Sequence, residues 1–141
     1  MSRLTAAVVL CLMLAGTAVA ASPLPKKPPN PDSAECGARG VHSHALWFHA
    51  ADGVVLAAAE YGKGPRGVVL APESGGSHCG WLPFARVLAA RGYHVLAYDL
   101  RALGQSPNLT RSQVVRYDAD VVGAARKLHA LGVRKVVVAG A

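Results

Sequence analysis

Three short apolar runs, over residues 66–71, 95–98 and 135–139, limit this chain's choice of fold more than any other feature. None alternates polar with apolar residues, so each predicts a strand covered on both faces, not one with a wet side. The stretches between them have helical signals. Residues 81–91 predict a helix, with Pro83 tolerated in its first turn and Gly92 stopping it. Residues 118–131 predict another, because Val121, Val122, Ala125, Leu128 and Leu131 recur at three- and four-residue spacing. Asp118 and Asp120 suit its positive N-terminal end, and Gly132 ends it. Ahead of these lie two apolar stretches, 46–49 and 54–59, flanking Ala51-Asp52-Gly53. Asp-Gly between apolar runs predicts a hairpin, since glycine accepts the positive φ of a tight turn. The order of hairpin, strand, helix, strand, helix, strand is that of an α/β fold. It predicts a mostly parallel sheet with an N-terminal antiparallel hairpin and helices on both faces.

The flanks carry other signals. Arg3 precedes an apolar run over 6–15, and Ala18-Val19-Ala20 offers the small-x-small pattern of a cleavage site. Residues 1–20 are therefore expected to be a signal peptide cut after Ala20, sending the protein outside the cell or into the envelope. The apolar stretch over 5–21 is at the lower limit for a spanning helix, so no stable membrane anchor is expected. Five prolines over 22–31 exclude helix and central strand and favour an extended spacer. The expected organisation is leader 1–20, proline-rich flexible linker 21–42 and ordered domain 43–141.

Loss of the leader removes Arg3 and lowers the formal net charge from +7 to +6. The basic residues sit singly or in pairs, with no stripe interleaved with aromatics, so nucleic acid is not an expected partner. Cys36 and Cys79 remain after processing, and an oxidising compartment would allow them to pair. Their sequence positions leave the pairing open.

Three segments in order carry a family resemblance. Ala71-Pro72-Glu73-Ser74-Gly75-Gly76-Ser77 follows the first buried run. Trp81-Leu82-Pro83-Phe84-Ala85-Arg86-Val87-Leu88-Ala89-Ala90-Arg91-Gly92-Tyr93 forms the next helix and its exit. Tyr98-Asp99-Leu100-Arg101-Ala102-Leu103-Gly104-Gln105-Ser106 follows the second buried run. Together they resemble the N-terminal half of the α/β-hydrolase superfamily, across residues 46–141. The segments are similar, respectively, to the family's oxyanion-hole loop after its third strand, its first helix and its D-x-R-G-x-G-x-S loop. The resemblance implies a secreted serine esterase-like parent acting on a small-molecule ester, thioester or related acyl bond, without a cofactor. It also implies that the run ending at Ala139 feeds the nucleophile elbow G-x-S-x-G. Gly140 matches the first glycine and Ala141 the residue after it, and the serine is expected at the next position. The acid and histidine come later in the family's chain order, so the 141-residue chain is expected to be inactive alone. The alternative is a non-catalytic truncated or pseudoenzyme chain that acts as a binding module or does not fold stably.

On the same resemblance, Ser74 takes the position of a backbone N–H donor to an oxyanion, and Glu73 precedes it. Pro72 and Glu73 stand where the family has His-Gly. Proline has no N–H, and a carboxylate turned inward would oppose an oxyanion. A second alignment is to relatives similar to dienelactone hydrolases, which have a glutamate after this strand that contacts the nucleophile. Ser77 does not satisfy the elbow, because Cys79 stands where the second glycine belongs. His78 and Cys79 are neighbours, which seldom gives hydrogen-bonding geometry, and Cys79 is read as a small packed residue. His42, His44 and His49 with Cys36 are metal-ligand types without a structural-zinc spacing, so no metal is expected. Asn108-Leu109-Thr110 is a glycosylation sequon in an exposed loop. Asp99 and Arg101 are expected to pair locally and hold their loop. An uncharged last strand left as an edge is expected to promote self-association.

Overall fold

The computed structural model describes residues 21–30, Cys36 and 43–140. The expected leader, most of 31–42 (His42 among them) and Ala141 lie outside the described residues.

Strand β1, His44–His49, and strand β2, Val55–Tyr61, form the expected antiparallel hairpin, with Phe48 opposite Leu56. Gly53 makes the turn at φ 84°, and Ala50 N–H donates to the Val54 carbonyl at 2.8 Å. Strand β3, Arg66–Ala71, is followed by a loop, a 3-10 turn over His78–Trp81 and helix α1, Leu82–Ala90. Strand β4, Tyr93–Tyr98, then pairs parallel to β3. Helix α2, Tyr117–Ala130, leads to β5, Lys135–Gly140, which is parallel to β3 on its other side. The sheet order is β1-β2-β4-β3-β5.

The sheet is mixed, with the expected antiparallel hairpin joined to parallel strands. β2 is also antiparallel to β4, with Ala58 opposite Tyr98, so antiparallel and parallel pairings are equal in number. β2 is buried along its whole length and takes partners on both edges. Apolar content marks such an interior strand but not the direction of its neighbours.

Side chains alternate between the two faces, and each face has its own helix. Phe48, Leu56, Val69, Leu96 and Tyr98 pack with Ala124 and Leu128 of α2. Val68, Leu70, Val95 and Ala97 pack with Leu82 and Ala85 of α1. Phe48 and Tyr98 meet edge to face, with ring centroids 5.9 Å apart. β5 departs from the buried-strand reading. It pairs with β3 only, and Val137 and Val138 are 64% and 46% exposed. An apolar run records what a strand is suited to touch, and here one edge touches nothing else among the described residues.

Residues 21–30 form no helix or strand, as the proline run requires, yet they lie against the domain. Trp47 Nε1 donates to the Lys27 carbonyl at 2.6 Å, and His49 Nε2 to the Ser22 carbonyl at 2.7 Å. The Gln105 side chain bonds the Asn30 backbone in both directions. Pro29 is buried.

Candidate functional site

β3, β4 and β5 all end at one side of the sheet, where ligands of open α/β sheets bind. Ala71 closes β3, and its carbonyl accepts from Trp81 Nε1 at 2.9 Å. The loop then turns back on itself, with Gly76 N–H donating to the Glu73 carbonyl at 2.8 Å. Ser77 caps the 3-10 turn by accepting from Cys79 N–H at 3.4 Å. Pro72 is buried, whereas Glu73 and Ser74 are exposed. Pro72, Glu73, Gly75, Gly76, Ser77, Gly80 and Trp81 line a cleft of about 420 Å³. Gly140 is opposite Ala71 in the β3–β5 register, so the end of β5 lies beside the head of this loop. Ala141 lies outside the described residues.

The loop after β4 is tied to the loop after β3 through Asp99. Its Oδ1 accepts from His78 N–H at 2.8 Å and from His78 Nδ1 at 2.7 Å, and its Oδ2 from Gln105 N–H at 2.9 Å. Burial alone pushes this carboxyl up, but the His78 bond and charge and the Gln105 and His78 amides outweigh it. The net effect holds Asp99 below its ordinary value. Being ionised, Asp99 can only accept, so Nδ1 carries the proton. Gly104 leaves the room this requires: at φ 53°, a Cβ there would lie 2.5 Å from Asp99 Oδ2. Ser106 completes the loop, donating to the Asp99 carbonyl at 2.8 Å and accepting from Ala57 N–H at 3.0 Å. Ala102 stands where the family pattern has glycine and keeps a left-handed φ of 61°, which costs an L-residue about 1 kcal/mol.

Asp99 and Arg101 do not pair with each other, which corrects the expected local pairing. Arg101 is buried and turns the opposite way. It makes two bonds to Asp52 in the hairpin turn, at 2.9 and 3.1 Å, and one to the Val114 carbonyl at 2.6 Å. Its Nε donates to Asp120 in the first turn of α2 at 2.9 Å. Burial pushes the Asp120 carboxyl up despite Arg101, in keeping with an Oδ2 that has no hydrogen-bond partner among the described residues. Burial alone would lower the Arg101 guanidinium, but the two carboxylates outweigh it and raise it above its ordinary value.

Cys36 and Cys79 form a disulfide across 43 residues, answering the question their sequence positions left open. Cys79 is therefore not simply a small packed residue, and its neighbour His78 faces Cys36: His78 Nε2 is 3.4 Å from Cys36 Sγ. Cys36, His78 and Cys79 are the group of metal-ligand types that converges among the described residues, and its two sulfurs are bonded to each other. His44 lies on Glu60 at 3.2 Å and His49 on Ser22, so neither joins Cys36.

Sequence reasoning missed two features: the His78–Asp99 pair and a buried Glu60 that bonds His94, His44 and Lys63. The available signal was a polar residue inside an apolar strand, such as Glu60 or His94, which must find a partner. Burial pushes the Glu60 carboxyl up, yet bonds and charge from Lys63 and His94 hold it below its ordinary value. Asp52 is likewise pushed up by burial and lowered further by Arg101 and Val54 N–H.

Asp52, Glu60, Asp99 and, at the surface beside Arg116, Asp118 thus have depressed values in the fold. Each contributes stability that is present above its unfolded value and lost as pH falls through its folded one. Asp120 alone runs the other way. Stability is expected to decline from about pH 4.5 downward, the ordinary value for glutamate, and urea midpoints at pH 7, 5 and 3 measure it. Equal midpoints at pH 5 and 3 contradict this balance.

A sheet ordered β1-β2-β4-β3-β5, with a glycine-rich loop after β3 and an Asp-x-Arg loop after β4, defines the class: the chain has the fold of the α/β-hydrolase superfamily. Similar solved structures include epoxide hydrolase A from Mycobacterium thermoresistibile, at 27% identity over 70% of this chain and 31% of that one, with a TM-score of 0.57. An epoxide hydrolase from Vigna radiata shares 22% identity over 72% of this chain and 32% of its own, with a TM-score of 0.58. An esterase from Pyrococcus furiosus shares 19% over 82% of this chain and 45% of its own, with a TM-score of 0.64. The chain spans less than half the length of each of these. No family model and no curated protein matches the sequence.

Proposed function

We propose that this chain is the oxyanion-loop half of an exported hydrolase that cleaves an ester, thioester or related acyl bond through a serine nucleophile. The observation that carries the reading is the β3–β5 register, with Gly140 beside Ala71, the residue that precedes Pro72 in the lining of the 420 Å³ cleft. A serine two positions beyond Gly140, on the strained turn such elbows use, would lie close to the loop's backbone N–H groups. The N–H of Ser74, with Glu73 before it, is the proposed oxyanion donor. Resemblance supports an acyl substrate. The epoxide hydrolases and the esterase share the fold, and that likeness does not choose between their chemistries.

A second reading, a non-catalytic member of the superfamily, is favoured by one observation. The head of the loop is a buried proline without an N–H, followed by a carboxylate that lines the cleft. Two measurements separate the readings. The 141-residue chain is expected to show neither p-nitrophenyl ester turnover nor fluorophosphonate labelling, and specific turnover by it overturns the assignment. The codons after Ala141 are expected to continue Gly140-Ala141 as Ser-x-Gly, and any other continuation favours the non-catalytic reading.

A further inference from the structure

We propose that Cys36–Cys79 is an exchangeable disulfide, a thiol-redox site at the rim of the cleft, with His78 as the proton partner of the Cys36 sulfur. This does not rest on the acyl-hydrolase reading, since none of its residues belongs to the expected nucleophile, acid or base.

The titratable groups meeting here are Cys36 from the N-terminal segment, His78 and Cys79 from the loop before α1, and Asp99 at the end of β4. His78 Nε2 is 3.4 Å from Cys36 Sγ, while Asp99 holds Nδ1 at 2.7 Å. His78 is 4% exposed and the orientation of its imidazole is set from behind by a carboxylate. That carboxylate fixes the proton on Nδ1 and turns the basic nitrogen toward sulfur. Once the disulfide opens, a Cys36 thiolate therefore faces an imidazole oriented to take a proton, the arrangement that activates cysteine elsewhere. A disulfide that only cross-links needs no such partner. Both cysteines are half-buried, not sealed in the core, and Ser77 and Gly80, on either side of His78-Cys79, line the cleft.

The exchange balances with a small dithiol as reductant. Its thiolate attacks Cys79 Sγ and forms a mixed disulfide. The Cys36–Cys79 bond breaks, and Cys36 leaves with the electron pair as the thiolate best stabilised by a neighbour. The proton released by the attacking thiol ends on the Cys36–His78 pair. The second thiol of the reductant then displaces Cys79, which takes up that thiol's proton. Two electrons and two protons pass to the protein, and the dithiol closes to a cyclic disulfide. His78 acts on the reacting sulfur directly, and Asp99 is a positioning residue.

The test uses the full native chain with a chelator present. It is reduced with dithiothreitol, exchanged into buffers of graded pH and pulsed with iodoacetamide, and each cysteine is read by mass spectrometry. At pH 6.5, Cys36 is expected to alkylate about ten-fold faster than Cys79, because thiolate rather than thiol reacts. Its pH profile is expected to lie below the ordinary cysteine midpoint of about 8.5. His78→Gln is expected to move the Cys36 profile up and leave Cys79 unmoved. Asp99→Asn, which removes the carboxylate charge behind the ring, should move Cys36 in the same direction. Equal rates at the two cysteines, a Cys36 profile indifferent to His78→Gln, or a disulfide reduced only in denaturant each overturn the proposal. If the variants do not fold, the comparison of the two cysteines within one wild-type sample decides it alone.

Discussion

Arg101→Met is expected to destabilise the fold by about 3–5 kcal/mol, the range for removing one partner of a buried ion pair. The Arg101 side chain is 0% exposed and joins three parts of the chain that are distant in sequence. Without it, Asp120 keeps a carboxylate at 0% exposure with nothing to balance its charge, and the Val114 carbonyl loses its donor. Asp52, with a side chain 24% exposed, can turn to water. The cause can be told from mere loss of volume in two ways. The carboxyl of Asp120 is already raised by burial, and losing Arg101 raises it further. An acid whose folded value is raised favours the fold as pH falls, so the deficit of Arg101→Met should shrink between pH 7 and 5. In addition, Arg101→Met combined with Asp120→Leu should recover most of the loss, because no unpaired charge then stays buried. Urea unfolding of the full chain measures both. A loss under about 1 kcal/mol for the single variant, or no recovery in the double, contradicts the clamp.

Leu128→Ala is expected to cost about 2–5 kcal/mol, through lost burial and the cavity left behind. Leu128 is fully buried on the inner face of α2 and packs among Val69, Leu96 and Tyr98. A Cβ built at Gly67 would approach its Cδ1 to 3.2 Å, which shows how closely helix and strand meet. The neighbouring backbone has little freedom to collapse into the void, which places the cost high in the range. Val122, on the same helix but 43% exposed, is the control: Val122→Ala should change stability by no more than about 0.5 kcal/mol. Similar losses at the two positions mean that α2 does not dock as described.

Val122 also marks the limit of the sequence pattern. It was counted on the apolar face with Val121, yet it faces outward, because one residue's rotation of about 100° carries it off the stripe that Val121, Ala125 and Leu128 set. The elements themselves were legible. The hairpin at Asp52-Gly53, both helices and every strand lie where periodicity and turn residues put them, with ends displaced by a few residues. At β2 the displacement mattered. The strand runs on to Tyr61, which brings Glu60 inside the sheet and sets it against His94. No pattern of single residues announces such a pair, because its members are 34 positions apart.

The Asp99–Ser106 motif shows both sides of the question. Its presence is visible in sequence, while the roles of its members are not. Asp99 holds the loop before α1, Arg101 holds the hairpin and α2, Gly104 leaves space for a carboxylate, and Ser106 bridges to β2. Of the side-chain hydrogen bonds of Asp99, Arg101 and Ser106 named here, only those to Gln105 N–H and the Asp99 carbonyl stay within the motif. The same holds for the disulfide: two cysteines and an oxidising compartment allow a bond, and only the folded path of the N-terminal segment brings their Cα atoms to 4.8 Å.

Local chemistry, then, was enough for the alternation of strand and helix, for the turns and for the kind of superfamily that uses them. Those features depend on backbone preferences and on spacing along one segment, and both are written in neighbouring residues. Strand direction at β2, the exposure of β5, the partners of Asp99, Arg101 and Glu60, and the meeting of Cys36 with His78 came only from the folded chain. Each depends on which remote segment supplies the facing charge, donor or edge, and chain closure over tens of residues decides that.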